Sequence, residues 1–174
     1  MSDPLAIIDD AHAIDVRSIR ELAISARIDA WSEAHYLEEV VRTDSFLLKA
    51  TDTDHIVGFL LARIVPGAAG GNDADLYNIA VDIRLRRKGI ASMLLGELIS
   101  RLKVLQIVDL WLEVRESNIS AIEFYKKHGF EAEITRSNFY ANPVENAVIM
   151  RLRMGPRIDV SKGKTMLDSY FEQE

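Results

Sequence analysis

The strongest constraint on the fold of this chain is a basic, glycine-containing segment between a strand pattern and a helix pattern. The segment Arg86–Ala91 follows the apolar run Leu76–Val81 and precedes the helical pattern Met93–Ile99. A helix N-terminus presents unpaired backbone N–H groups and a partial positive charge, and small residues there let a pyrophosphate group approach closely. The segment therefore predicts a strand, a turn and a helix start that bind a phosphate-containing ligand.

Four cations, Arg84, Arg86, Arg87 and Lys88, lie together at this turn. Two interpretations are open from the residues alone: a solvated run of charge, or an anion-binding loop, which its position before a helix start favours. The net charge of the whole chain is −6. That balance predicts no strong binding to nucleic acid, because such affinity comes mainly from clustered Lys and Arg.

Length and composition exclude several classes of protein. The chain has 174 residues, of which 48% are hydrophobic, so it can bury the core of one globular domain. It has no cysteine, which excludes disulfides, thiolate zinc sites and a cysteine nucleophile. No apolar run approaches the ~20 residues that span a bilayer, and Met1–Pro4 does not resemble a secretory signal. We therefore expect a cytoplasmic protein without membrane contact. Its four histidines lack the spacing of metal ligands, so we expect no metal site: His12, His35, His55 and His128.

The hydrophobic periodicity predicts an α/β chain with mixed strand pairing. The order is a strand, two helices, three strands, a helix, a strand, a helix and two strands. The helices are expected over 15–26, from the N-cap Ser32, over 89–105 and over 118–128. The strands are expected at 5–9, 45–50, 56–65, up to residue 81, 109–115, 130–135 and 144–153. Residues 1–154 are predicted to form one domain, and 155–174 a tail that is a loose helix or disordered.

Within the strand predicted at 109–115, aliphatic residues alternate with aromatic and charged residues. Leu110, Leu112 and Val114 must face one side of the sheet and Trp111, Glu113 and Arg115 the other.

Two short motifs follow one another along the chain. The first has the pattern Arg-x-x-Gly-x-Ala, with Arg86, Gly89 and Ala91 at its defined positions. The second has the pattern Asn-x-x-Ala-x-x-x-Tyr, formed by Asn118, Ala121 and Tyr125. At 100° per residue the members of the second motif fall within about 60° on one helix face, as a shared ligand surface requires. The first motif alone is weak, but the pair is not expected by chance.

With these two motifs, the stretch 77–130 resembles the GCN5-related N-acetyltransferase (GNAT) family. The resemblance implies a GNAT-like single domain with a mixed, mostly antiparallel sheet of about seven strands and four helices, and acetyl-CoA as co-substrate. Within the family the chain looks like the bacterial RimI type, which acetylates the N-terminal alanine of a ribosomal protein. That narrower resemblance covers about residues 30–153 and rests on Trp31–Glu33, Asn78–Asp82, Leu110–Asn118, Phe124–Tyr125, Gly129–Phe130 and Arg136–Tyr140. The sequence departs from the family pattern at Ala30 and Ala141, where the family usually has proline. It also departs in the shortened segment Asn142–Asn146 and in the longer glycine loop 66–72. These departures concern the side of the site that is expected to bind the peptide.

The resemblance implies catalytic roles for two residues. Glu113 is the candidate general base, and the alternative is that it only pairs with a nearby arginine on a solvated face. Tyr125 is the candidate acid for the leaving thiolate, and the alternative is a core aromatic. A phenol with a pKa near 10 is a weaker acid than a thiol near 8.5, so full transfer is uphill by roughly 2 kcal/mol. Tyr125 is therefore expected to act mainly as a hydrogen-bond donor to sulfur.

The resemblance also implies binding residues. The backbones of Ile79 and Val81 are expected to bind the pantetheine arm, as in family members that extend the sheet with the ligand. The pyrophosphate is assigned to the turn, with cofactor residues Arg86, Arg87, Lys88, Gly89, Ile90 and Ala91. Asn118 either contacts the cofactor or caps its helix, or does both. Trp31, in the segment Trp31–Glu33, and Tyr140 are expected to shape the peptide entrance, with core and cap roles as alternatives.

The leading hypothesis is transfer of an acetyl group from acetyl-CoA to a protein N-terminal α-amine. The same cofactor half would serve a lysine or small-amine acetyltransferase, and a CoA-binding regulatory module without turnover is the alternative from another class. Acetylation of tRNA is disfavoured by the acidic balance.

Overall fold

One mixed sheet with helices on both faces forms the part of the chain that the computed structural model describes, namely residues 6–28, 31–67 and 71–155. The helices are α1 (Val16–Ser25), α2 (Glu33–Val41), α3 (Ile90–Val104) and α4 (Ile119–Lys127). The strands are β1 (Ile7–Asp10), β2 (Ser45–Asp52), β3 (His55–Pro66), β4 (Asn72–Val81), β5 (Asp109–Arg115), β6 (Glu131–Ala141) and β7 (Val144–Arg153). The predicted tail, except residue 155, lies outside the described residues, as do Leu5, Ala30 and residues 68–70 of the glycine loop.

The strand order is β1-β2-β3-β4-β5-β7-β6. All neighbouring strands pair antiparallel except β4 and β5, which run parallel because α3 connects them across one face. The predictions of seven strands, four helices and a mixed, mostly antiparallel sheet are confirmed.

The two faces of the sheet bury separate apolar clusters. On one face α3 and α4 pack against the sheet, with Leu94, Leu98 and Tyr125 among the buried residues. On the other face α1 and α2 pack through residues such as Ile19 and Tyr36. Because successive strand residues point to opposite faces, each position of β4 and β5 belongs to one of these two sides.

A bulge in β4 and the divergence of β4 from β5 create an opening in the sheet. Opposite β3, Leu61 pairs with Asn78 but Ala62 pairs with Leu76, so Tyr77 is an extra residue without a partner. The parallel pairing of β4 with β5 joins only Ala74–Leu76 to Leu110–Leu112. In the described part of the chain, the later residues of β4 and β5 therefore do not pair with each other, and their facing edges make no hydrogen bonds from one strand to the other.

Two details of the predicted elements are wrong. Strand β1 is Ile7–Asp10 rather than 5–9, and its register is set by antiparallel pairing with β2. Strand β6 extends to Ala141 instead of ending at Thr135. Nearly all of β6 is exposed at the sheet edge, so its sequence has no apolar alternation that would indicate its length. Its pairing with β7 contains two register shifts.

Candidate active site

A cavity of about 910 Å³ opens where β4 and β5 diverge. It is bounded by the ends of these two strands, the segment between α1 and α2, the first turns of α4 and the β6–β7 turn. Of the predicted cofactor residues, those that line it are Ile79, Val81, Arg86, Ala91, Asn118 and Tyr125. Glu113, Trp31 and Tyr140 line it as well. Together with the turn before α3, residues from six separate parts of the chain thus meet around one cavity.

The turn before α3 adopts a conformation that suits a glycine. Gly89 is the N-cap of α3 with φ +91°, and Arg87 also has a positive φ of +64°. Gly89 has no side chain to bond the first N–H groups of α3, so these groups remain available to a ligand. The side chain of Ile90 is buried in the core, and Arg87, Lys88 and Gly89 do not line the cavity.

The cations of this turn behave differently from one another. Arg84 is exposed and forms an ion pair with Asp82, its Nη2 lying 2.7 Å from Oδ2. Arg86 lines the cavity, and its Nε donates a hydrogen bond of 3.3 Å to the carbonyl of Val81. The solvated-charge interpretation therefore describes Arg84, whereas Arg86 is positioned to face a ligand.

Helix α4 carries the second motif to the cavity. Asn118 is its N-cap, and its Oδ1 accepts a hydrogen bond of 3.2 Å from the backbone N–H of Ala121. Asn118 also lines the cavity, so the capping role does not remove it from the site. Gly129 ends the helix in the left-handed conformation, with φ +88°.

Tyr125 is both a core aromatic and a cavity residue. Only 8% of it is exposed, and its ring packs near the rings of Phe124 and Phe130. Burial, with a smaller contribution from Tyr140, raises the pKa of the Tyr125 phenol above its ordinary value. The Tyr125 hydroxyl therefore keeps its proton at neutral pH. It transfers that proton poorly but can donate a hydrogen bond.

Glu113 lies on the α1–α2 side of the sheet and lines the cavity. Arg136 on β6 donates a hydrogen bond of 2.7 Å from Nη1 to Glu113 Oε1, so the arginine pairing considered above is present. Burial nevertheless raises the pKa of the Glu113 carboxyl, Arg136 opposes that rise, and the charge of Asp75 adds to it. A carboxylate with a raised pKa at a cavity wall can accept a proton more readily than an ordinary glutamate.

An arginine between two aromatic rings supports the cavity wall next to α2. The Cζ atom of Arg63 on β3 lies 5.3 Å from the Trp31 ring centroid and 5.4 Å from that of Tyr77. Its guanidinium also forms a hydrogen-bonded ion pair with Glu39 of α2, whose side chain is fully buried. The N-cap Ser32 begins α2 by accepting a hydrogen bond from the His35 backbone N–H. Of the segment Trp31–Glu33, Trp31 alone lines the cavity.

Sequence reasoning missed this arginine cluster and several other lining residues. Arg63, Glu39 and Tyr77 come from three separate elements, and no local pattern connects them. Arg115 was placed on the side of Glu113 by strand alternation, but its contacts were not foreseen. Its Cζ lies 4.0 Å from the Tyr140 ring centroid, and its Nη1 lies 3.2 Å from Glu145 Oε2. These contacts hold the β6–β7 turn against the mouth of the cavity.

Metal-ligand groups and membrane-spanning helices are both absent from the described residues. Within the described ranges, no group of three or more His, Cys, Asp or Glu side chains could hold a metal ion. None of the described helices is long and apolar enough to cross a membrane.

Comparison with known proteins agrees with this architecture. The model of the acetyltransferase (GNAT) family matches residues 16–130. A [ribosomal protein bS18]-alanine N-acetyltransferase of Salmonella typhimurium is 41% identical over 107 residues, covering 60% of this chain and 69% of the relative. The protein with the same name from Haemophilus influenzae is 35% identical over 150 residues, covering 84% of this chain and 97% of the relative.

A solved structure extends the similarity to the whole fold. The ribosomal-protein-S18-alanine N-acetyltransferase of Escherichia coli superimposes with a TM-score of 0.76 at 29% identity, covering 87% of this chain and 95% of that one. The chain belongs to the acetyltransferase (GNAT) family. It is an acetyl-CoA-dependent N-acetyltransferase.

Proposed function

We propose that this enzyme transfers the acetyl group of acetyl-CoA to the N-terminal α-amine of a protein, specifically a ribosomal protein that starts with alanine. The observation that carries the proposal is the placement of Glu113 and Tyr125 around one cavity at the end of β4. Relatives whose names specify ribosomal-protein alanine acetylation support the choice of acceptor.

The basicity of Glu113 matches the pKa of an α-amine acceptor. An α-amino group has a pKa of about 7.7 to 8.0, so deprotonating it at pH 7 costs about 1 kcal/mol, whereas a lysine near 10.4 costs about 4.6 kcal/mol. Burial raises the pKa of the Glu113 carboxyl, and the paired Arg136 opposes that rise. Such a base suits an α-amine better than a lysine.

Acetyl-CoA is assigned to the cavity side formed by the turn, the end of β4 and α4. The uncapped N–H groups at the start of α3, together with Arg86, match the anionic oxygens of a pyrophosphate. The backbone edge of β4 at Ile79–Val81 does not pair with β5, so its N–H and C=O groups suit the amides of the pantetheine arm. This arrangement brings the thioester toward the point where β4 and β5 separate.

The reaction then proceeds by direct attack. The acceptor loses one proton to solvent and becomes a neutral amine, and its nitrogen lone pair forms a bond to the thioester carbonyl carbon. The carbon–sulfur bond breaks, a second proton leaves the nitrogen toward the Glu113 carboxylate, and the sulfur departs as a thiolate. Glu113 then releases its proton to solvent. Tyr125 donates a hydrogen bond to that sulfur, and a proton from solvent completes free CoA. The net products are the acetylated amine, CoA and one proton.

A substrate comparison tests the proposal. The enzyme is incubated with acetyl-CoA and either an alanine-starting ribosomal peptide or an α-blocked peptide that contains lysine, and transfer is followed by mass spectrometry. We expect acetylation of the free α-amine and little of the blocked peptide. Acetylation confined to the blocked peptide would contradict the proposed acceptor, and acetyl-CoA binding without any transfer would indicate a regulatory module.

A further inference from the structure

Two buried side-chain oxygens in the described residues have no hydrogen-bond partner: Tyr36 Oη and Asn78 Oδ1. A buried polar atom without a partner costs about 1–3 kcal/mol, so proteins rarely keep one unless it serves a purpose. Tyr36 does not line the cavity, whereas Asn78 does. Asn78 is therefore an unsatisfied hydrogen-bond acceptor at the wall of the active site.

The bulge in β4 places Asn78 on the side of the sheet where the acceptor must enter. Asn78 pairs with Leu61, which belongs to the core under α1 and α2, so the two side chains point to that side. Glu113 also points to that side, because it alternates with Leu112 and Val114 of the opposite core. If β4 ran through Tyr77 as a regular strand without the bulge, Asn78 would point to the same side as Leu76, into the core under α3.

An attacking amine needs an acceptor of this kind. A neutral primary amine has one lone pair and two N–H groups. The lone pair must point at the thioester carbon, one N–H gives its proton to the base, and the other N–H remains in the product amide. An amide oxygen is too weakly basic to take the proton, so it can hold an N–H without competing with Glu113. The carboxamide is thus chemically suited to orient the nucleophile.

We propose that Asn78 Oδ1 accepts a hydrogen bond from the nucleophilic nitrogen of the acceptor and so fixes the direction of its lone pair. This inference deepens the proposed function and rests on it for the identity of the amine. The alternative donor is a pantetheine N–H, but that arm is assigned to the backbone edge of β4, which lies in the plane of the sheet, whereas the Asn78 side chain points out of that plane to the α1–α2 side. The geometry therefore favours the acceptor.

The test compares Asn78→Leu, which has a similar size but no acceptor, with Asn78→Asp, which keeps an oxygen at the same position. Two peptides are used: an alanine-starting peptide and its des-amino analogue, which carries propionyl in place of the first alanine. Their dissociation constants are measured by calorimetry on the enzyme saturated with CoA, and kcat and KM are measured with acetyl-CoA.

We expect the wild-type enzyme to bind the amino peptide more tightly than the des-amino peptide. In Asn78→Leu this preference falls by about threefold to tenfold, the range for one net hydrogen bond, and kcat/KM falls with it. In Asn78→Asp the preference is retained. Affinity for acetyl-CoA is unchanged in both variants. A merely structural role would weaken both peptides equally, and that result, or an unchanged preference in Asn78→Leu, would overturn the inference.

The outcome for Asn78 can be separated from that of the proposed function. If the wild-type enzyme acetylates only the α-blocked lysine peptide, the α-amine assignment fails. The same comparison with that peptide and a norleucine analogue, which lacks the amine, then decides the role of Asn78. If the wild-type enzyme binds neither peptide, both proposals are overturned.

Discussion

The proposed donor half and the proposed acceptor half of the active site are built in different ways. The donor half consists of the end of β4, the turn before α3 and the start of α4. The last two are short runs of consecutive residues whose backbone geometry is locally determined. The acceptor half brings together Trp31, Glu113 and Tyr140, which belong to distant parts of the chain. A site for an invariant co-substrate can be encoded in local motifs, whereas the acceptor site depends on long-range packing.

Charge also separates the two halves. The donor half presents helix N–H groups and the Arg86 guanidinium, which suit an anion. The acceptor half contains the Glu113 carboxylate, the Asn78 amide oxygen and aromatic rings, which suit an amine. Substitutions in one half should therefore leave the ligand of the other largely unaffected.

The largest expected effect is on the acceptor side, at Glu113. Glu113→Gln keeps the shape of the side chain but cannot take a proton, so we expect kcat to fall by about 10²- to 10⁴-fold. Affinity for acetyl-CoA, measured by calorimetry, should change little. A loss of acetyl-CoA binding in this variant would show that the two halves are not separable and that Glu113 is structural.

Tyr125 lies at the boundary between the two halves. Tyr125→Phe keeps the buried ring and removes the hydroxyl, so the melting temperature should remain close to that of the wild type. We expect kcat to fall by about tenfold to a hundredfold, because a hydrogen bond to a charged group contributes about 1.5–3 kcal/mol. An unchanged kcat in single-turnover measurements would assign Tyr125 to packing alone.

On the donor side, two glycines near each other provide a matched pair. Gly89 has φ +91°, and although a Cβ there would meet nothing within 4 Å, the conformation itself disfavours other residues. Gly89→Ala should lower the free energy of unfolding by about 1–2 kcal/mol and weaken acetyl-CoA severalfold. Gly96→Ala, inside α3 and equally without a clash, should raise it by about 0.5–1 kcal/mol and leave affinity unchanged. Equal effects would contradict the role of the turn.

The smallest effects concern the pH dependence of the acceptor side. Arg136 lowers the pKa of Glu113 and Asp75 raises it. Because the base acts only when ionised, Arg136→Leu should shift the acidic limb of kcat/KM to higher pH, and Asp75→Asn should shift it to lower pH. Profiles of both variants are measured with the alanine-starting peptide. Shifts in the same direction would show that the acidic limb does not belong to Glu113.

Local patterns predicted most of the fold, including the turn before α3 and the start of α4 to which acetyl-CoA is assigned. Strand alternation placed Glu113 and Arg115 on one side of β5, and the bounds of β5 and β7 agree with the prediction. The turn at Gly89 and the Asn118 cap were also readable, because each depends on residues a few positions apart. The length of β6 was not, since an exposed edge strand needs no apolar periodicity.

The sequence by itself determined the class of fold, the family and the segments to which acetyl-CoA is assigned, because hydrophobic period, capping and turn chemistry act over a few residues. Only the tertiary structure decided the acceptor side. The bulge at Tyr77 turned Asn78 toward the cavity, and the pairing of Arg63 with Glu39 fixed the wall beside Trp31. These outcomes depend on contacts between elements far apart in the chain, and no pattern within one segment records them.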